Sequence, residues 1–497
     1  MRGRTSETFY MHKRASSKEH LNGYDYDYDY DYDRERMLGY SQSDLSKDIS
    51  NPSWKRPLPH VLVATLSSFL FGYHLGVVND TLESISLELG FSGSTLAEGL
   101  VVSTCLAGAL LGSIFSGWIS DGLGRRRSFQ LCALPMIIGA SMSATTSSLE
   151  GMLLGRFFVG TGMGLGPPVA ALYVSEVSPA FVRGTYGSFT QIATCLGLMV
   201  ALLIGIPAKN DPSWWRVCFW ASTIPAALLA ILMEFSTESP HWLFKRGRIA
   251  QTEVELERLF GALHVKPAMA EFSKSDRADE VDAVKFSELL HGRHFKVVFI
   301  GSVIFAFQQL SGINAVFYFS STVFRSAGVP SDIGNICIGV VNISGSIVAM
   351  ILMDRLGRKL LLLSSFLGMA MAMGFQVIAA SDIFSGSANL RLSVGGMLLF
   401  VLTFALGAGP VPGLLLSEIL PSRIRAKAMA VCMSIHWVIN FFVGLLFLNL
   451  LETLGPQILY TIFATFCLMA VVYVKKNVVE TKGKSLQEIE MALIPAD

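Results

Sequence analysis

Three amide side chains, Gln308, Gln309 and Asn314, stand close together in an otherwise apolar part of the chain. Amides donate and accept hydrogen bonds without ionising, which suits a neutral, hydroxyl-rich solute. On a straight helix Gln309 and Asn314 would point about 140° apart, at about 100° per residue. Gly312 lies between them and lets the helix unwind, so that both amides face one cavity. The alternative is that the amides bond to neighbouring helices and hold a bundle together. Three amides around a helix break favour the binding site.

Membrane helices are the elements that must position these amides. Of the 497 residues, 52% are hydrophobic and only 15% are charged, whereas soluble globular chains carry about 25% charged residues. Apolar stretches of about 20 residues, long enough to cross a hydrocarbon core of about 30 Å, recur along the chain. They lie near residues 59–79, 97–119, 128–146, 151–174, 186–207, 215–234, 295–319, 332–353, 359–380, 393–420, 426–450 and 455–475. We predict an all-α integral membrane protein with twelve transmembrane helices in two six-helix halves.

The hydropathy pattern also predicts the domain boundaries. They are a disordered polar tail at 1–57, a first half at 58–234, a cytoplasmic-side helical linker at 235–294, a second half at 295–476 and a C-terminal tail at 477–497. Tyrosine and aspartate alternate from residue 24 to residue 33, a low-complexity repeat to which the sequence assigns no purpose.

A charged motif occurs once in each half. Its members are Asp121, Arg125, Arg126, Glu176 and Arg183 in the first half, and Asp354, Arg355, Arg358, Glu418 and Arg425 in the second. The basic residues place these loops on the cytoplasmic-type face. We predict a charge latch, in which salt bridges hold that face shut in one state and part in another. The alternative is that the arginines only set the topology. The repeat of the whole motif, with its acids, favours the latch and indicates a transporter built from two related halves.

Other functions find little support in the sequence. No His, Asp or Glu cluster has metal-binding spacing and no nucleophile stands beside a base, so we expect neither an enzyme nor a cofactor. A net charge of +1 gives no reason to expect nucleic acid as a partner. The seven cysteines fall within apolar segments and are expected to be small buried residues.

Several motifs between about residues 55 and 490 resemble those of the sugar porters of the major facilitator superfamily. They are residues 121–127, 155–157, 238–243, 308–318, 354–359 and 480–486. Within that family the chain is most similar to the plastidic glucose transporters, through residues 71–79, 407–412, 422–428 and 436–441.

The resemblance implies a hexose site between the two halves. The residues that match the sugar-binding positions are Gln191, Gln308, Gln309, Asn314, Asn342, Trp437 and Asn440. Tyr318 would lie at the outer gate. Gly413 stands where sugar porters usually carry tryptophan, so one aromatic wall of the pocket is expected to be missing.

His74 and Arg156 are the residues at which proton coupling would arise. Proton-coupled members of the family carry an aspartate where this chain has His74. Histidine can titrate as well, but a neighbouring arginine opposes a second positive charge. We therefore expect facilitated diffusion of a hexose, with glucose as the expected sugar, by alternating access. The alternatives are a proton–sugar symporter and a non-transporting sugar sensor.

The expected partners are a small neutral sugar and the lipid bilayer, and a monomer suffices for this function. The resemblance implies a multi-pass protein of the plastid (chloroplast) envelope, with another cellular membrane as the alternative.

Overall fold

The computed structural model describes residues 52–279, 292, 294–326, 328, 330–381, 387–420, 424–482 and 484. Most of the predicted N-terminal tail, including the repeat at 24–33, lies outside these residues. So do residues 280–291 of the predicted linker and residues 485–497 of the predicted C-terminal tail. The elements of the described chain are helices, as expected for an all-α protein.

The described residues of the first half and the linker form nine α-helices. They are α1 (Leu58–Glu88), α2 (Thr95–Leu123), α3 (Arg125–Thr145), α4 (Leu149–Val177), α5 (Arg183–Ile204), α6 (Trp214–Glu234), α7 (Pro240–Lys245), α8 (Ile249–Phe260) and α9 (Ala262–Asp279). The second half continues with α10 (Phe295–Leu310), α11 (Ile313–Ser326), α12 (Ser331–Leu356), α13 (Arg358–Ala379), α14 (Ser387–Thr403), α15 (Val411–Ile419) and α16 (Arg425–Asn477). A π-helical segment, Phe404–Ala408, lies between α14 and α15.

The helices of the described chain give twelve membrane crossings. Eleven segments are long and apolar enough to cross a membrane, and two of them are built from the pairs α10–α11 and α14–α15. The last segment, 427–477, is far longer than one crossing needs. Gly455 interrupts it with non-helical dihedrals (φ 76°, ψ 161°). The kink divides α16 into the eleventh and twelfth crossings, and the predicted number is confirmed.

Each half packs mainly on itself. In the first half α4 contacts α2 and α3, while α1 contacts α5. In the second half α16 contacts α10 and α13. In the described chain, the most extensive contacts between the halves are those of α1 with α11, α2 with α16, and α5 with α12. We call this boundary between the halves the seam; α11, which carries part of the predicted site, lies on it.

A sharp turn after a glycine is repeated in the two halves. Gly124 separates α2 from α3 with φ 92°, and Gly357 separates α12 from α13 with φ 88°. A Cβ at Gly124 would lie 2.5 Å from a carboxylate oxygen of Glu238, and one at Gly357 would lie 2.6 Å from Glu480. Only glycine combines this backbone conformation with so close an approach. We call the face of the bundle that carries these two turns the basic face, and the other end the opposite face.

The linker helices pack against the basic face. The indole N–H of Trp242 in α7 donates to the carbonyl of Asp121 at 2.8 Å, and Arg246 donates to the same carbonyl at 2.6 Å. On α8, the side chains of Leu256 and Leu259 are buried. The described linker helix α7 thus lies beside the last turn of α2; the cytoplasmic-side placement of the whole linker remains a prediction.

The cysteine side chains are free thiols inside the helices. Six of the seven are buried, and the seventh, Cys337 on α12, is partly buried. This agrees with their expected role as small packing residues.

Candidate functional site

The predicted helix break is present at Gly312. Helix α10 ends at Leu310 and α11 begins at Ile313, with Gly312 between them at φ 85°. A Cβ at Gly312 would lie 2.7 Å from the ring of Phe463 on α16. A larger residue would therefore be strained by both its dihedral and its contacts.

The three amides beside the break form one hydrogen-bonded network. Asn314 donates through Nδ2 to Oε1 of Gln309 at 2.6 Å, and Gln309 donates through Nε2 to Oε1 of Gln308 at 3.3 Å. Gln308 donates to the carbonyl of Ala408, in the π-helical segment, at 2.6 Å. The fourth member is His436, whose Nδ1 lies 3.0 Å from Nε2 of Gln309. We call Gln308, Gln309, Asn314 and His436 the amide network.

Asn440 and Trp437 approach this region from α16. The hydroxyl of Tyr318 on α11 donates to Oδ1 of Asn440 at 3.3 Å. Trp437 donates through its indole N–H to Oγ of Ser113 on α2 at 2.7 Å, and Phe71 of α1 lies edge-on to its ring with centroids 5.9 Å apart. Trp437 therefore spans the seam, because it touches the first half while it stands on the second.

Within the described residues, Gln191 and Asn342 make no hydrogen bond to the amide network. Gln191 on α5 donates to the sulfur of Cys195 at 3.7 Å, and that thiol lies 3.2 Å from the hydroxyl of Ser346 on α12. Asn342, one turn before Ser346, is 4% exposed.

The space beside Gly413 on α15 is open, because a Cβ at this position would meet no atom within 4 Å. This is the position at which sugar porters usually carry tryptophan.

His74 and Arg156 are both buried, but their side chains do not bond to each other. Arg156 donates to two carbonyls, that of Val101 at 3.2 Å and that of His74 at 3.4 Å. Within the described chain, its third nitrogen, Nη1, and both ring nitrogens of His74 have no hydrogen-bond partner. The hydrogen bonds of Arg156 go to backbone oxygens and not to a carboxylate.

The charged motif forms one cluster in each half at the basic face. In the first, Arg125 makes two bonds to the carboxylate of Glu176, at 2.8 and 2.9 Å, and one to Asp121 at 3.2 Å. In the second, Arg358 lies 2.9 Å from the carboxylate of Glu418. Both ion pairs join helices of the same half. The predicted latch remains a prediction, and in this structure its pairs tie each half together internally.

The other predicted latch residues have different surroundings. Arg126 donates to the carbonyl of Met233 at 3.0 Å and pairs with Glu234 at 3.2 Å, both on α6. Arg425 donates to the carbonyl of Leu420 at 3.2 Å. Arg183 and Arg355 are exposed, and the side chain of Asp354 lies outside the described structure.

Each cluster also contains a carboxylate from a segment outside the helices. Glu238, before α7, accepts the backbone N–H of Arg125 at 2.9 Å, and Glu480, after α16, accepts that of Arg358 at 2.9 Å. Burial raises the pKa of Glu238 above its ordinary value, and its backbone donors offset this only in part. Burial acts on Glu480 in the same direction, but four backbone N–H groups outweigh it and hold its pKa below the ordinary value. Sequence reasoning missed both partners, although each follows the last helix of its half.

A second set of polar contacts joins the two halves at the opposite face. Asp80 of α1 accepts from Oγ of Ser321 at 2.5 Å and from Nδ2 of Asn335 at 2.8 Å, both in the second half. Lys209 lies 3.2 Å from Asp80 and also pairs with Asp332 of α12. Near them, Asn79 donates to Ser320 at 2.7 Å, and Glu83 pairs with Arg325. We call these residues the opposite-face network.

Twelve membrane helices in two halves, with a polar site on the seam, define a transporter of the major facilitator superfamily. The family described as "Sugar (and other) transporter" matches residues 60–493. The chain belongs to this family, and both the predicted fold and the resemblance are confirmed.

Two plant relatives match most of the chain. "Probable plastidic glucose transporter 2" of Arabidopsis thaliana is 68% identical over 498 residues, which cover 99% of each chain. "Plastidic glucose transporter 4" of the same plant is 46% identical over 437 residues, which cover 88% of this chain and 80% of the relative.

Solved structures of a bacterial sugar transporter share the fold. The proton:xylose symporter XylE bound to 6-bromo-6-deoxy-D-glucose superposes with a TM-score of 0.76 at 30% identity, over 88% of this chain and 99% of that one. The inward-open conformation of XylE from E. coli gives a TM-score of 0.75 at 29% identity, over 87% and 99%.

Proposed function

We propose that this protein carries a hexose, glucose in the first place, across the membrane by alternating access. The observation that carries the proposal is the amide network at the Gly312 break. It lies on the seam between the halves of a sugar-transporter fold and is built of neutral donors and acceptors. Such groups match sugar hydroxyls without requiring a charged solute. The plant relatives, which are named as glucose transporters, support the same substrate.

The sugar-binding side chains in this proposal are the seven matched to the family. Those on α10, α11 and α16 stand at the break, while Gln191 and Asn342 supply amides from α5 and α12. Tyr318 acts as the outer gate, and the open space at Gly413 leaves the pocket without one aromatic wall. The sugar is moved and not chemically converted, and one chain is sufficient for the cycle.

The domain boundaries remain part of the proposal. The two halves, 58–234 and 295–476, move relative to each other around the bound sugar. The segment 235–294 connects them on the cytoplasmic side, between the tails 1–57 and 477–497. The contact of α7 with the last turn of α2 supports the placement of this linker at the basic face.

Movement of the sugar is not coupled to protons in this proposal. A coupling site needs a group that gains and loses a proton as its partner changes. Arg156 bonds to backbone carbonyls, and the ring of His74 has no polar partner in the described chain. The pair therefore holds one fixed charge and lacks the carboxylate that would exchange a proton beside it.

Uptake into proteoliposomes tests this function directly. We expect radiolabelled glucose to enter until its internal concentration equals the external one, with no change when a protonophore is added. His74→Asn should transport at a rate within about threefold of the wild type, because an uncharged polar group preserves the feature that matters; threefold corresponds to less than about 1 kcal/mol. His264→Asn, on linker helix α9, is the control for loss of a histidine elsewhere.

The competing function is proton–sugar symport, because XylE, which shares the fold, is named as a proton:xylose symporter. Glucose accumulation above the external concentration under an inward proton gradient, lost in His74→Asn and kept in His264→Asn, would establish symport. A protein that binds glucose in the same vesicles without any net uptake or exchange would be a sensor.

We propose the plastid envelope as the membrane in which the protein works, on the evidence of the plastidic relatives. A fluorescent protein fused to the C-terminus should give a ring around plastids in leaf cells. Its signal should coincide with a marker of the plastid envelope. A plasma-membrane or Golgi pattern at native expression levels would contradict this location.

A further inference from the structure

A groove lies on the outer surface of the second half, between α13 and the part of α16 that forms the twelfth crossing. Its volume is about 470 Å³, and its walls include Val377 of α13 and Ile458, Thr465 and Met469 of α16. The side chains of Ile458 and Met469 are 53% and 50% exposed. Because both helices cross the membrane, the exposed surface of this groove faces lipid.

The polar groups along the α16 wall of the groove are satisfied within the protein. The hydroxyls of Thr461 and Thr465 donate to the carbonyls of Gln457 and Thr461, at 2.7 and 2.8 Å. Gln457 donates through Nε2 to the carbonyl of Ala380 at 2.6 Å, which joins the two helices at the end nearer the opposite face. The surface that the threonines leave to a ligand is therefore that of their methyl groups, which suits contact with an acyl chain.

Both walls of the groove lead to a lysine at the basic face. At about 100° per residue, residues 18 positions apart are separated by about five full turns and share one side of a helix. Lys359 precedes Val377 by 18 positions on α13, and Lys476 follows Ile458 by 18 positions on α16. The two sides that line the groove thus each carry a positive charge where the helix reaches the basic face.

The distance from these charges to the groove matches the depth of one lipid leaflet. At about 1.5 Å per residue, Met469 lies roughly 10 Å and Thr465 roughly 16 Å along the axis from Lys476. Half of a hydrocarbon core of about 30 Å is about 15 Å. A lipid whose headgroup lies at Lys476 therefore places an acyl chain along the nearer half of the groove.

Three lysines meet at the end of α16 without a carboxylate between them. Nζ of Lys359 donates to the carbonyl of Lys475 at 3.0 Å, which brings an ammonium group of α13 against the last turn of α16. Lys475 and Lys476 are exposed, and within the described residues none of the three forms an ion pair. The nearby carboxylate of Glu480 accepts from backbone N–H groups, among them that of Lys359 at 3.0 Å.

Lysines at the end of a helix also set the topology and compensate the helix dipole. That role explains Lys475 and Lys476, which stand in the last turn of α16. It does not explain why Lys359, from the first turn of another helix, extends to the same place. Like charges held together in this way are stabilised by an anion, since each ammonium group repels the others.

We propose that this surface binds one anionic membrane lipid, with its headgroup at Lys359, Lys475 and Lys476 and an acyl chain in the groove. The distribution of charge selects both the headgroup and the leaflet. Between residues 456 and 477 the two lysines are the charged residues, and both lie at the basic face. A net negative headgroup in the leaflet at that face complements them. The site lies within the second half and is independent of the sugar.

Binding of dioleoylphosphatidylglycerol to the full-length protein in neutral detergent tests the headgroup site. Native mass spectrometry counts the lipids retained per protein during a titration, and dioleoylphosphatidylcholine is the uncharged comparison. We expect one phosphatidylglycerol to bind about tenfold or more tightly than phosphatidylcholine. Lys359→Gln and Lys476→Gln should each weaken phosphatidylglycerol binding about fivefold, which corresponds to about 1 kcal/mol per basic residue. Lys476→Arg keeps the charge and should stay within about twofold of the wild type.

Lys266→Gln is the matched control for the loss of charge, because Lys266 is an exposed lysine on linker helix α9. Thr465→Trp tests the groove by filling it, and should weaken the binding of both lipids, since it acts on the acyl chain. Ile224→Trp is its control, because Ile224 on α6 is 62% exposed and belongs to the other half. The melting temperature of each variant without added lipid shows whether it is folded.

Three results would overturn the lipid site. The first is phosphatidylglycerol binding that is unchanged in the double variant Lys359→Gln, Lys476→Gln, or equal binding of the two lipids to the wild type. The second is displacement of phosphatidylglycerol by an equal concentration of glycerol phosphate, which would make the patch a site for soluble phosphate. The third is a change of oligomeric state in Thr465→Trp with unchanged lipid binding, which would make the groove a contact between two copies of the chain.

Discussion

Replacing Arg125 with alanine should slow glucose exchange by about tenfold or more while leaving glucose binding nearly unchanged. The Arg125 side chain is 5% exposed and pairs with a carboxylate, that of Glu176, which is 9% exposed. Removal of one partner of a buried ion pair leaves an uncompensated charge and costs about 3–5 kcal/mol. The cluster lies at the basic face, away from the amide network, so the loss falls on the conformational cycle. Initial rates of exchange in proteoliposomes and equilibrium binding of labelled glucose measure the two effects separately.

Arg126→Ala is the matched control for this experiment. It removes the same charge from the adjacent position, but Arg126 pairs with an exposed carboxylate, that of Glu234, and exposed pairs contribute only about 0–1 kcal/mol. We expect its exchange rate to stay within about fivefold of the wild type, from that same range. The double variant Arg125→Ala, Glu176→Gln should regain part of the lost rate because it contains no buried unpaired charge. Equal slowing by Arg125→Ala and Arg126→Ala, or loss of binding at a normal exchange rate, would be incompatible with this role.

Asp80→Ala should open the opposite face of the transporter. Asp80 is the centre of the contacts that hold α1 to α11 and α12, with Ser321 at 2.5 Å and Asn335 at 2.8 Å. Hydrogen bonds to a charged group contribute about 1.5–3 kcal/mol each. Loss of both hydrogen bonds should raise the population of the state with an open opposite face by about tenfold or more, since 1.4 kcal/mol corresponds to a factor of ten.

The accessibility of a cysteine placed at the seam measures this shift. In Ser320→Cys, labelling by a membrane-impermeant maleimide from the opposite face should become about tenfold faster when Asp80→Ala is added, because the rate follows the population of the open state. Asp211→Ala is the control, since Asp211 is exposed and its side chain accepts from the backbone N–H of Ser213, two residues along the same half. Labelling that is unaffected by Asp80→Ala would show that the opposite-face network does not determine the closure.

The features that the sequence predicted correctly are those whose causes are local. A crossing helix is a continuous apolar stretch, and the break at Gly312 follows from one residue and its neighbours. The kink at Gly455 has the same origin, and it separates two predicted crossings that the structure otherwise joins in one helix. The motifs also predicted the protein family correctly, because they are spread over most of the chain.

The remaining features depend on contacts between distant parts of the chain. Glu238 and Glu480 complete the two charge clusters from segments that no hydropathy pattern connects to Arg125 or Arg358. The opposite-face network joins Asp80 to residues more than two hundred positions away, and the sequence had offered no reason to pair them. His436 lies beside Trp437 in a family motif, but only the structure shows that its Nδ1 lies 3.0 Å from Nε2 of Gln309 on another helix. Such pairings become visible only when tertiary packing brings the helices together.

The burial of the cysteines limits their reaction with oxidants and reductants in the solutions on the two sides of the membrane. A thiol reacts as its thiolate, which needs water and nearby positive charge, and thiols buried in apolar surroundings are inert. Six of the seven cysteines are buried and all seven are unpaired. In the state that the structure describes, oxidants and reductants therefore have little access to the six buried thiols. Direct redox control of sugar flux through these six thiols would require a state of the transport cycle that exposes them.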